Sequence, residues 1–136
     1  MKCINVIILF TTLFNVAHAA DIQVNIIGIE ENKGVIRVAL FSSTRKDTFP
    51  VPSDDIQKTV KANTNGVSLK FTNVSAGEYA ISVLHDKNSN NEMDTFIGIP
   101  AEPYGNSGEY TSFKPDYEES NFIVADKNIV IEIEVH

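Results

Sequence analysis

The sequence predicts an all-β protein that folds as a β-sandwich of about seven strands, with one long loop excursion. Two patterns lead to this prediction. Apolar and polar residues alternate over short runs, as they do in strands with one buried face. Clusters of glycine, proline and asparagine separate these runs at intervals typical of a sandwich. Residues 20–136 carry no internal repeat and no low-complexity linker, so we predict that they form a single domain.

The first two predicted strands follow one another closely. Residues 22–26 alternate between apolar and polar, which predicts a strand with one buried face. The alternation changes phase at residues 27–29, which suggests a β-bulge, and residues 31–34 form a hairpin-like turn. Residues 35–41 are apolar on nearly both faces except at Arg37, so we expect a central strand here.

The next two strands follow a long connection. Residues 42–55 contain two prolines and mixed charge, which is typical of a surface segment. Residues 56–62 have a weak strand pattern, and residues 63–66 end in Asn-Gly, a pair that favours a tight turn. Residues 67–72 alternate regularly, so we predict a half-buried strand there.

Three further strands complete the predicted sandwich. Ala-Gly at residues 76–77 forms a turn before a strand at residues 78–84, whose apolar side chains share one face. Residues 122–124 form a short strand, and residues 128–136 place isoleucine and valine against glutamate. These elements bring the total to about seven strands.

Residues 86–121 interrupt this pattern and form the long excursion. They contain few alternating apolar residues, three prolines and three glycines. An insertion of this length in a compact domain is commonly functional or disordered, and its tyrosines and acid-amide cluster argue against disorder. We expect one helical turn near residues 116–120, with Asp116 as the N-cap and Glu119 three residues later.

The N-terminus has the composition of a cleaved export signal. Lys2 is followed by an apolar stretch over residues 4–16, and residues 17–19 place alanines two apart, as signal peptidase requires. The stretch is shorter than the roughly 20 residues of a membrane-spanning helix; a retained anchor is the alternative. We therefore predict a signal peptide at residues 1–19 and a periplasmic or secreted mature chain. The single cysteine, Cys3, lies within the signal.

The charge of the chain restricts the classes of partner. The formal net charge is −7, whereas nucleic acids and anionic membrane surfaces both require clustered lysine and arginine. We therefore expect no nucleic acid partner. Beyond the signal, no segment is long and apolar enough to span a membrane. The acidic surface favours solubility and, locally, cation binding.

The segment 86–94 has the spacing of a calcium-binding loop. Its oxygen-bearing side chains lie at relative positions 1, 3, 5 and 9, and they belong to Asp86, Asn88, Asn90 and Asp94. The loops of EF-hand proteins begin with the same D-x-[DN]-x-[DN] spacing, because alternate side chains of a tight loop point toward one centre. Glu92 would add its backbone carbonyl. Since Ca²⁺ prefers six to eight oxygen ligands, the sequence predicts a Ca²⁺ site formed by these five residues.

Two departures from the EF-hand pattern predict weak affinity. Asn91 replaces the glycine of position 6, although asparagine is the next best residue for a left-handed conformation. Ile97 replaces the bidentate glutamate of position 12. The missing ligand would come from another acidic residue, and the candidates are Glu102, Asp116, Glu118 and Glu119. We expect a dissociation constant of roughly 10⁻⁴–10⁻³ M, as in extracellular modules.

Two other interpretations stay open for the same segment. The loop could be a set of Asx-turns that needs no ion, in a purely structural domain. The chain could also be a hydrolase-like enzyme that uses Glu102 and another loop carboxylate. No serine lies in a nucleophile motif, and no second histidine is placed to assist His85. We therefore assign no catalytic residue and no cofactor other than Ca²⁺.

Residues 97–113 are a candidate site for a protein or glycan ligand. They contain Tyr104, Tyr110 and Phe113, which could form an aromatic platform for a sugar or a peptide. The alternative is that these rings fold down and cover one end of the sandwich.

Three stretches of the chain resemble a bacterial family of exported proteins, domain of unknown function 2141. They are FTNVSAGEYA at residues 71–80, HDKNSNNEMD at residues 85–94 and IGIPAEPYGNS at residues 97–107. The resemblance runs from about Ile22 to the C-terminus. It implies an immunoglobulin- or transthyretin-like sandwich in the periplasm or on the outer surface, and it implies no activity. We therefore expect an exported binding or structural module of unknown ligand, with a weak Ca²⁺ loop at residues 86–94.

Overall fold

The computed structural model describes residues 18–136. The strands of this part of the chain are β1 (Ala19–Ile27), β2 (Val35–Ser42), β3 (Gln57–Lys61), β4 (Val67–Ser75), β5 (Gly77–Asp86), β6 (Thr95–Phe96), β7 (Ile99–Pro100), β8 (Tyr104–Asn106), β9 (Phe122–Val124) and β10 (Ile129–Glu134). Two 3₁₀ helices cover Ser43–Thr48 and Asp54–Ile56, and one helical turn, α1, covers Tyr117–Ser120. No helix among these residues is long and apolar enough to cross a membrane. The predicted signal peptide lies outside the described residues, except for its last two positions.

These strands form two main sheets and one hairpin. In the first sheet β1 lies in the middle, antiparallel to β4 and parallel to β10. In the second sheet the order is β3-β2-β5-β8 with antiparallel neighbours, and β9 pairs with the first residues of β5. Strands β6 and β7 form a separate antiparallel hairpin within the excursion.

The main core lies between the inner faces of the two sheets. Alternate residues of β1 are fully buried, and Ile22, Val24 and Ile26 are all 0% exposed. They belong to the same cluster as Ile36 of β2 and Ile81 of β5. Burial of each such side chain contributes about 1.5–3 kcal/mol. Because two facing sheets bury alternate residues against each other, the predicted all-β sandwich is confirmed.

All seven predicted strands are present, and the central position expected for residues 35–41 is also correct. Strand β2 lies between β3 and β5 in the second sheet. The additional short strands β6, β7 and β8 lie in the excursion of residues 86–121. Much of the excursion is therefore ordered by its own backbone pairing and by β8 joining the second sheet.

The connection after β1 differs from the sequence prediction in two details. Residues 31–34 do not close a hairpin, because β1 pairs with β4 and β10 whereas β2 pairs with β3 and β5. The segment instead crosses from one sheet to the other. The register shift in β1 lies between Ala20 and Ile22 rather than at residues 27–29. The phase change there marks the strand end, where Gly28 has φ +77° and a Cβ would lie 2.7 Å from the Val135 carbonyl oxygen.

A second apolar cluster covers the outer face of the second sheet. The connection after β2 folds back so that Phe49 is buried, and its ring packs edge-on against Phe41 and Tyr117 at centroid distances of 5.1 and 5.9 Å. Tyr117 begins α1, and the predicted N-cap Asp116 accepts a hydrogen bond from the Glu118 N–H. Strand β2 is thus covered on both faces, which explains why its sequence is apolar at nearly every position.

Candidate functional site

The candidate cation loop follows β5 and covers residues 86–94. Its backbone turns sharply because two residues adopt left-handed φ values, Ser89 at +58° and Asn91 at +66°. Asparagine tolerates this conformation well, so the absence of the EF-hand glycine does not prevent the turn. The Asn91 side chain also holds the loop in place, since it accepts a hydrogen bond from Gln57 at 3.0 Å and donates one to Asp54 at 3.2 Å.

Asp86 forms the base of this loop and is fully buried. Its Oδ2 accepts hydrogen bonds from Arg37 Nε at 2.6 Å and from the Asn91 N–H at 2.8 Å, and its Oδ1 accepts one from the Asn90 N–H at 3.1 Å. Burial alone would raise the pKa of Asp86, but the guanidinium and the two backbone N–H groups lower it below the usual value. Asp86 is therefore an ionised carboxylate that fastens the loop to β2.

The rim of the loop is formed by the side chains of Asn88, Asn90 and Asp94, which converge. Asn88 Nδ2 donates to Asp94 Oδ2 at 2.5 Å, and Asn90 Nδ2 donates to Asp94 Oδ1 at 2.7 Å. The Oδ1 atoms of the two asparagines accept backbone N–H groups of Asn90 and Glu92, at 3.2 and 3.0 Å. These local bonds are Asx-turns, so the loop holds its shape with its own side chains.

Glu102 joins the two ends of the loop from outside it. Its carboxylate is buried, and it accepts the Lys87 N–H at 2.8 Å through one oxygen and the Asp94 N–H at 3.1 Å through the other. The Ala101 N–H donates to the Asp94 carbonyl at 2.7 Å. Glu102 and Ala101 follow β7, so these bonds attach the base of the β6–β7 hairpin to the end of the loop.

The β6–β7 hairpin carries three exposed apolar side chains. Phe96, Ile97 and Ile99 are 71%, 85% and 66% exposed. Ile97 and Gly98 form the turn, with φ values of +52° and +73°. This hairpin was not predicted, because its strands are too short to show an alternating pattern. The sequence does contain one signal for this hairpin. Ile-Gly lies between two apolar residues, and the second position of such a turn favours glycine.

The aromatic residues of the excursion differ in exposure. Tyr104 is buried, and its hydroxyl donates to the Thr111 carbonyl at 2.6 Å. Its ring lies 5.7 Å from that of Tyr110, which is half-exposed, and Phe113 is 78% exposed. Burial first, and then the Tyr110 neighbour, raise the pKa of Tyr104 to about 12. Tyr104 therefore supports the surface from beneath, whereas Tyr110 and Phe113 face solvent.

The family of the chain is shown by a direct match. A family model described as "Uncharacterized protein conserved in bacteria (DUF2141)" matches residues 24–132. The chain belongs to this family. No curated protein and no solved structure matches it. Because the match spans the loop and the hairpin, both are parts of the DUF2141 domain itself.

This DUF2141 domain brings together part of the predicted ligand set. Asn88, Asn90 and Asp94 meet at the rim, whereas both oxygens of Asp86 are directed to groups of β2 and of the loop backbone. Glu92 lies next to the rim and donates its N–H to Asn90. Among residues 18–136, no three His, Cys, Asp or Glu side chains are grouped as metal ligands. A cation here would therefore bind Asp94 together with amide and backbone oxygens.

Of the four acidic residues considered for the missing ligand, only Glu102 lies at the loop. Asp116 caps α1, Glu119 lies in the same helical turn, and Glu118 pairs with Lys46 at 3.3 Å. Both oxygens of Glu102 already accept backbone N–H groups. This arrangement suits a residue that holds a loop and offers no specific support for a hydrolytic carboxylate pair.

His85 lies near the end of β5, and its burial was not predicted from the sequence. It is fully buried, and its Nε2 donates to the Lys33 carbonyl at 2.7 Å, while Nδ1 has no hydrogen-bond partner among the described residues. The neighbouring Asp86 bonds Arg37 instead, as expected for adjacent strand residues on opposite faces. The available signal was that His85 continues the alternation of Ile81 and Val83.

Proposed function

We propose that this protein is an exported binding or structural module, that residues 97–113 with the adjoining Phe96 form its recognition surface, and that a weakly bound Ca²⁺ at the loop stabilises this surface. One observation carries the proposal. Among residues 18–136, nine large apolar side chains are exposed, and five of them lie within residues 96–113: Phe96, Ile97, Ile99, Tyr110 and Phe113.

This concentration supports a binding role because the exposed apolar side chains can be buried against another molecule. Large apolar side chains scattered singly over a surface need no explanation, whereas a group of them marks an interaction site. The ordering of the excursion supports the same view. Tyr104 and Glu102 are buried beneath it and hold its backbone in place, so the exposed residues are presented on a defined framework.

The rim of the loop supports a cation site of low affinity. Asp94 is joined to two asparagine amides, and no ion pair among residues 18–136 involves it. Rotation of Asn88 and Asn90 about their terminal bonds would direct amide oxygens, rather than N–H groups, toward the same centre. A single carboxylate with neutral oxygens is a weak ligand set for Ca²⁺, as the sequence also predicts.

Calcium would act on the hairpin through Asp94. The Asp94 backbone bonds both Glu102 and Ala101 at the base of the hairpin. A cation that fixes the Asp94 side chain would therefore restrict the backbone immediately before β6, where the hairpin begins. The expected consequence is lower mobility of the hairpin rather than a change of fold.

Calorimetric and thermal titration of the purified chain with Ca²⁺ tests this site. We expect saturable heat and a higher melting temperature, since a ligand at about 20 times its dissociation constant adds roughly 1.8 kcal/mol of stability. Asp94→Asn should remove both effects. Asp126→Asn makes the same change of charge at an exposed position away from the loop and should leave them intact. Absence of heat and of a melting shift at several millimolar Ca²⁺ would show that the loop is a metal-free turn.

Asp86 is not a suitable probe for this question. Its carboxylate holds Arg37 and two backbone N–H groups, so Asp86→Ala would destabilise the chain with or without a cation. Only Asp94 separates the calcium loop from the metal-free turn, because its side chain contributes to the rim alone.

Export is tested independently of any ligand. We expect the mature chain in the periplasmic or extracellular fraction to begin at Ala20, which N-terminal sequencing would show. Ala19→Asp should block processing, because signal peptidase requires a small residue at this position. An unprocessed chain that fractionates with the membrane would support the retained anchor instead.

A further inference from the structure

We propose that the β6–β7 hairpin is a docking element that inserts its apolar tip into an apolar pocket with a basic rim on another protein. The inference rests on the proposed recognition surface and names both the part that makes contact and the chemistry of its partner. Four observations carry it: the arrangement of the apolar side chains, the backbone at Ile97, the attachment of the hairpin and the local charge.

Two of the three exposed apolar side chains lie on the same face of the hairpin. Phe96 pairs with Ile99, and Thr95 pairs with Pro100. Directly opposed residues of two antiparallel strands place their side chains on the same face, so Phe96 and Ile99 share one face and the other pair occupies the reverse face. Ile97 lies at the adjoining turn and is 85% exposed.

The backbone at Ile97 is strained, and its position offers no folding benefit. Its φ of +52° lies in the left-handed region, where a β-branched residue is a clear outlier and costs about 1–2 kcal/mol. Asparagine or glycine would suit this turn position better. Because the side chain is exposed, burial within the chain does not offset the strain. Backbone strain of this kind clusters at active sites, ligand clamps and switch regions.

The base of the hairpin is fastened by hydrogen bonds to the preceding loop. Glu102, which follows β7, bonds the backbone at both ends of the loop, and Ala101 bonds the Asp94 carbonyl. A preorganised element loses less conformational entropy on binding than a flexible one. The apolar tip can therefore dock without folding first.

The charge around the hairpin indicates the rim of the partner. Residues 86–102 contain four acids and one base, which gives −4 + 1 = −3. The base, Lys87, pairs with Glu31 at 2.7 Å, and Asp86 pairs with Arg37. Glu92 is exposed and Asp94 is partly exposed, and neither has an ion pair among residues 18–136, whereas Glu102 is buried. A basic rim would complement these charges, whereas an anionic bilayer would be repelled.

A second copy of the chain fits this tip poorly. A twofold contact between two hairpins would bring two acidic loops together, and like charges at an interface cost several kcal/mol. A cavity of about 400 Å³ in the described chain is lined by polar residues and one alanine, namely Asn32, Lys61, Ala62, Asn63 and Asn65. Such a lining does not match a phenylalanine and two isoleucines.

Site-specific photocrosslinking in cells that express the full chain tests the inference. We place p-benzoylphenylalanine at Ile99, at Phe113 and, as a control of similar exposure on β9, at Ile123. We expect Ile99 to yield a discrete adduct with another protein at least 5-fold above the Ile123 control. Phe96→Ser and Ile97→Asn should each reduce this adduct at least 5-fold.

The captured protein must also bind the purified chain with the predicted chemistry. We expect its dissociation constant to rise at least 10-fold with Phe96→Ser and several-fold with Glu92→Lys, and to rise with salt as charges are screened. Binding that ignores both substitutions would overturn the inference, as would an adduct of twice the chain's mass. Flotation of the chain with phosphatidylcholine vesicles, lost in Phe96→Ser, would identify a lipid surface instead and would likewise overturn it.

The same experiment separates this inference from the proposed recognition surface. An adduct at Phe113 but not at Ile99 would leave residues 97–113 as the recognition surface and remove the hairpin as its contact. Absence of adducts at both positions, with the chain folded and exported, would contradict both proposals.

Discussion

The base and the rim of the loop contain the same kind of residue in opposite situations. Asp86 at the base is fully buried, pairs with Arg37 and accepts two backbone N–H groups. Asp94 at the rim is partly exposed and is contacted at its carboxylate by the side-chain amides of Asn88 and Asn90. A regular spacing of acids and amides therefore does not make the residues equivalent as ligands. Burial and charged partners decide which carboxylate stabilises the fold and which one can bind an ion.

The largest expected effect belongs to the base. Asp86→Ala should lower the free energy of unfolding by about 3–5 kcal/mol, because it leaves the Arg37 charge without its buried partner and the Asn91 N–H without an acceptor. Chemical denaturation of the purified chain measures this loss. The matched change Asp126→Ala, at an exposed position, should cost less than about 0.5 kcal/mol. Equal losses in both variants would contradict the structural role of Asp86.

The next effect concerns the connection between base and rim. Glu102→Ala should cost roughly 2–3 kcal/mol, because the N–H groups of Lys87 and Asp94 lose their acceptor. Glu102→Gln keeps an acceptor oxygen and should cost about half as much. Hydrogen exchange should accelerate at residues 95–100 in Glu102→Ala while the rate in β1 follows only the global stability. Unchanged exchange in the hairpin would show that Glu102 does not fasten it.

Acid should weaken the base through Asp86. The pKa of Asp86 is lowered in the folded chain, so its contribution to stability is complete at pH values above the unfolded pKa of about 3.9. It is lost as the pH falls through the lower folded pKa, because the unfolded state then binds the proton more readily. Unfolding curves at decreasing pH should show a steeper loss of stability below pH 4 in the wild type than in Asp86→Asn. Parallel pH profiles would remove this assignment.

A small gain in stability is expected at the tip of the hairpin. Ile97→Asn should raise the free energy of unfolding by about 1 kcal/mol, since asparagine adopts a left-handed φ with less strain. Thermal unfolding measures the gain. Asn91→Ile places the same side chain at another left-handed position, with φ +66°, and should reverse the sign. A loss of stability in Ile97→Asn would show that the isoleucine makes a stabilising contact within the chain.

The smallest expected effect is the loss of stability when the Asp94 side chain is removed in the absence of calcium. Asp94→Ala in the presence of a chelator should cost less than about 1 kcal/mol, because the lost hydrogen bonds lie at a partly exposed site. The contrast with Asp86→Ala, measured by the same denaturation experiment, is the quantity of interest. A cost as large as that of Asp86→Ala would show that base and rim form one structural unit.

The sandwich could be predicted from the sequence because most of its strands are long enough to show a pattern of apolar and polar residues. The alternation over residues 22–26 reports directly on burial, since Ile22, Val24 and Ile26 are all inside. The continuous apolar run of β2 likewise reports coverage on both faces. The turn at residues 31–34 was misassigned as a hairpin because a short loop between two strands has the same composition whether the strands pair or lie in opposite sheets.

Less of the candidate site could be predicted, because it depends on long-range contacts and on very short strands. The spacing predicted that Asn88, Asn90 and Asp94 converge. It could not show that Arg37, 49 residues away in the chain, would form an ion pair with Asp86. The role of Glu102 as a clamp also depends on a long-range contact. The β6–β7 hairpin has two residues in each strand, too few for any periodicity, so its exposed tip became visible only in three dimensions.

The most direct test of the proposed calcium site is a Ca²⁺ titration followed by NMR of the side-chain amides of Asn88 and Asn90. We expect large, saturable shifts of both NH₂ groups with a dissociation constant of roughly 10⁻⁴–10⁻³ M, together with slower hydrogen exchange at residues 96–99. Both effects should be lost in Asp94→Asn. Small linear shifts spread over many acidic positions, unchanged by Asp94→Asn, would contradict it.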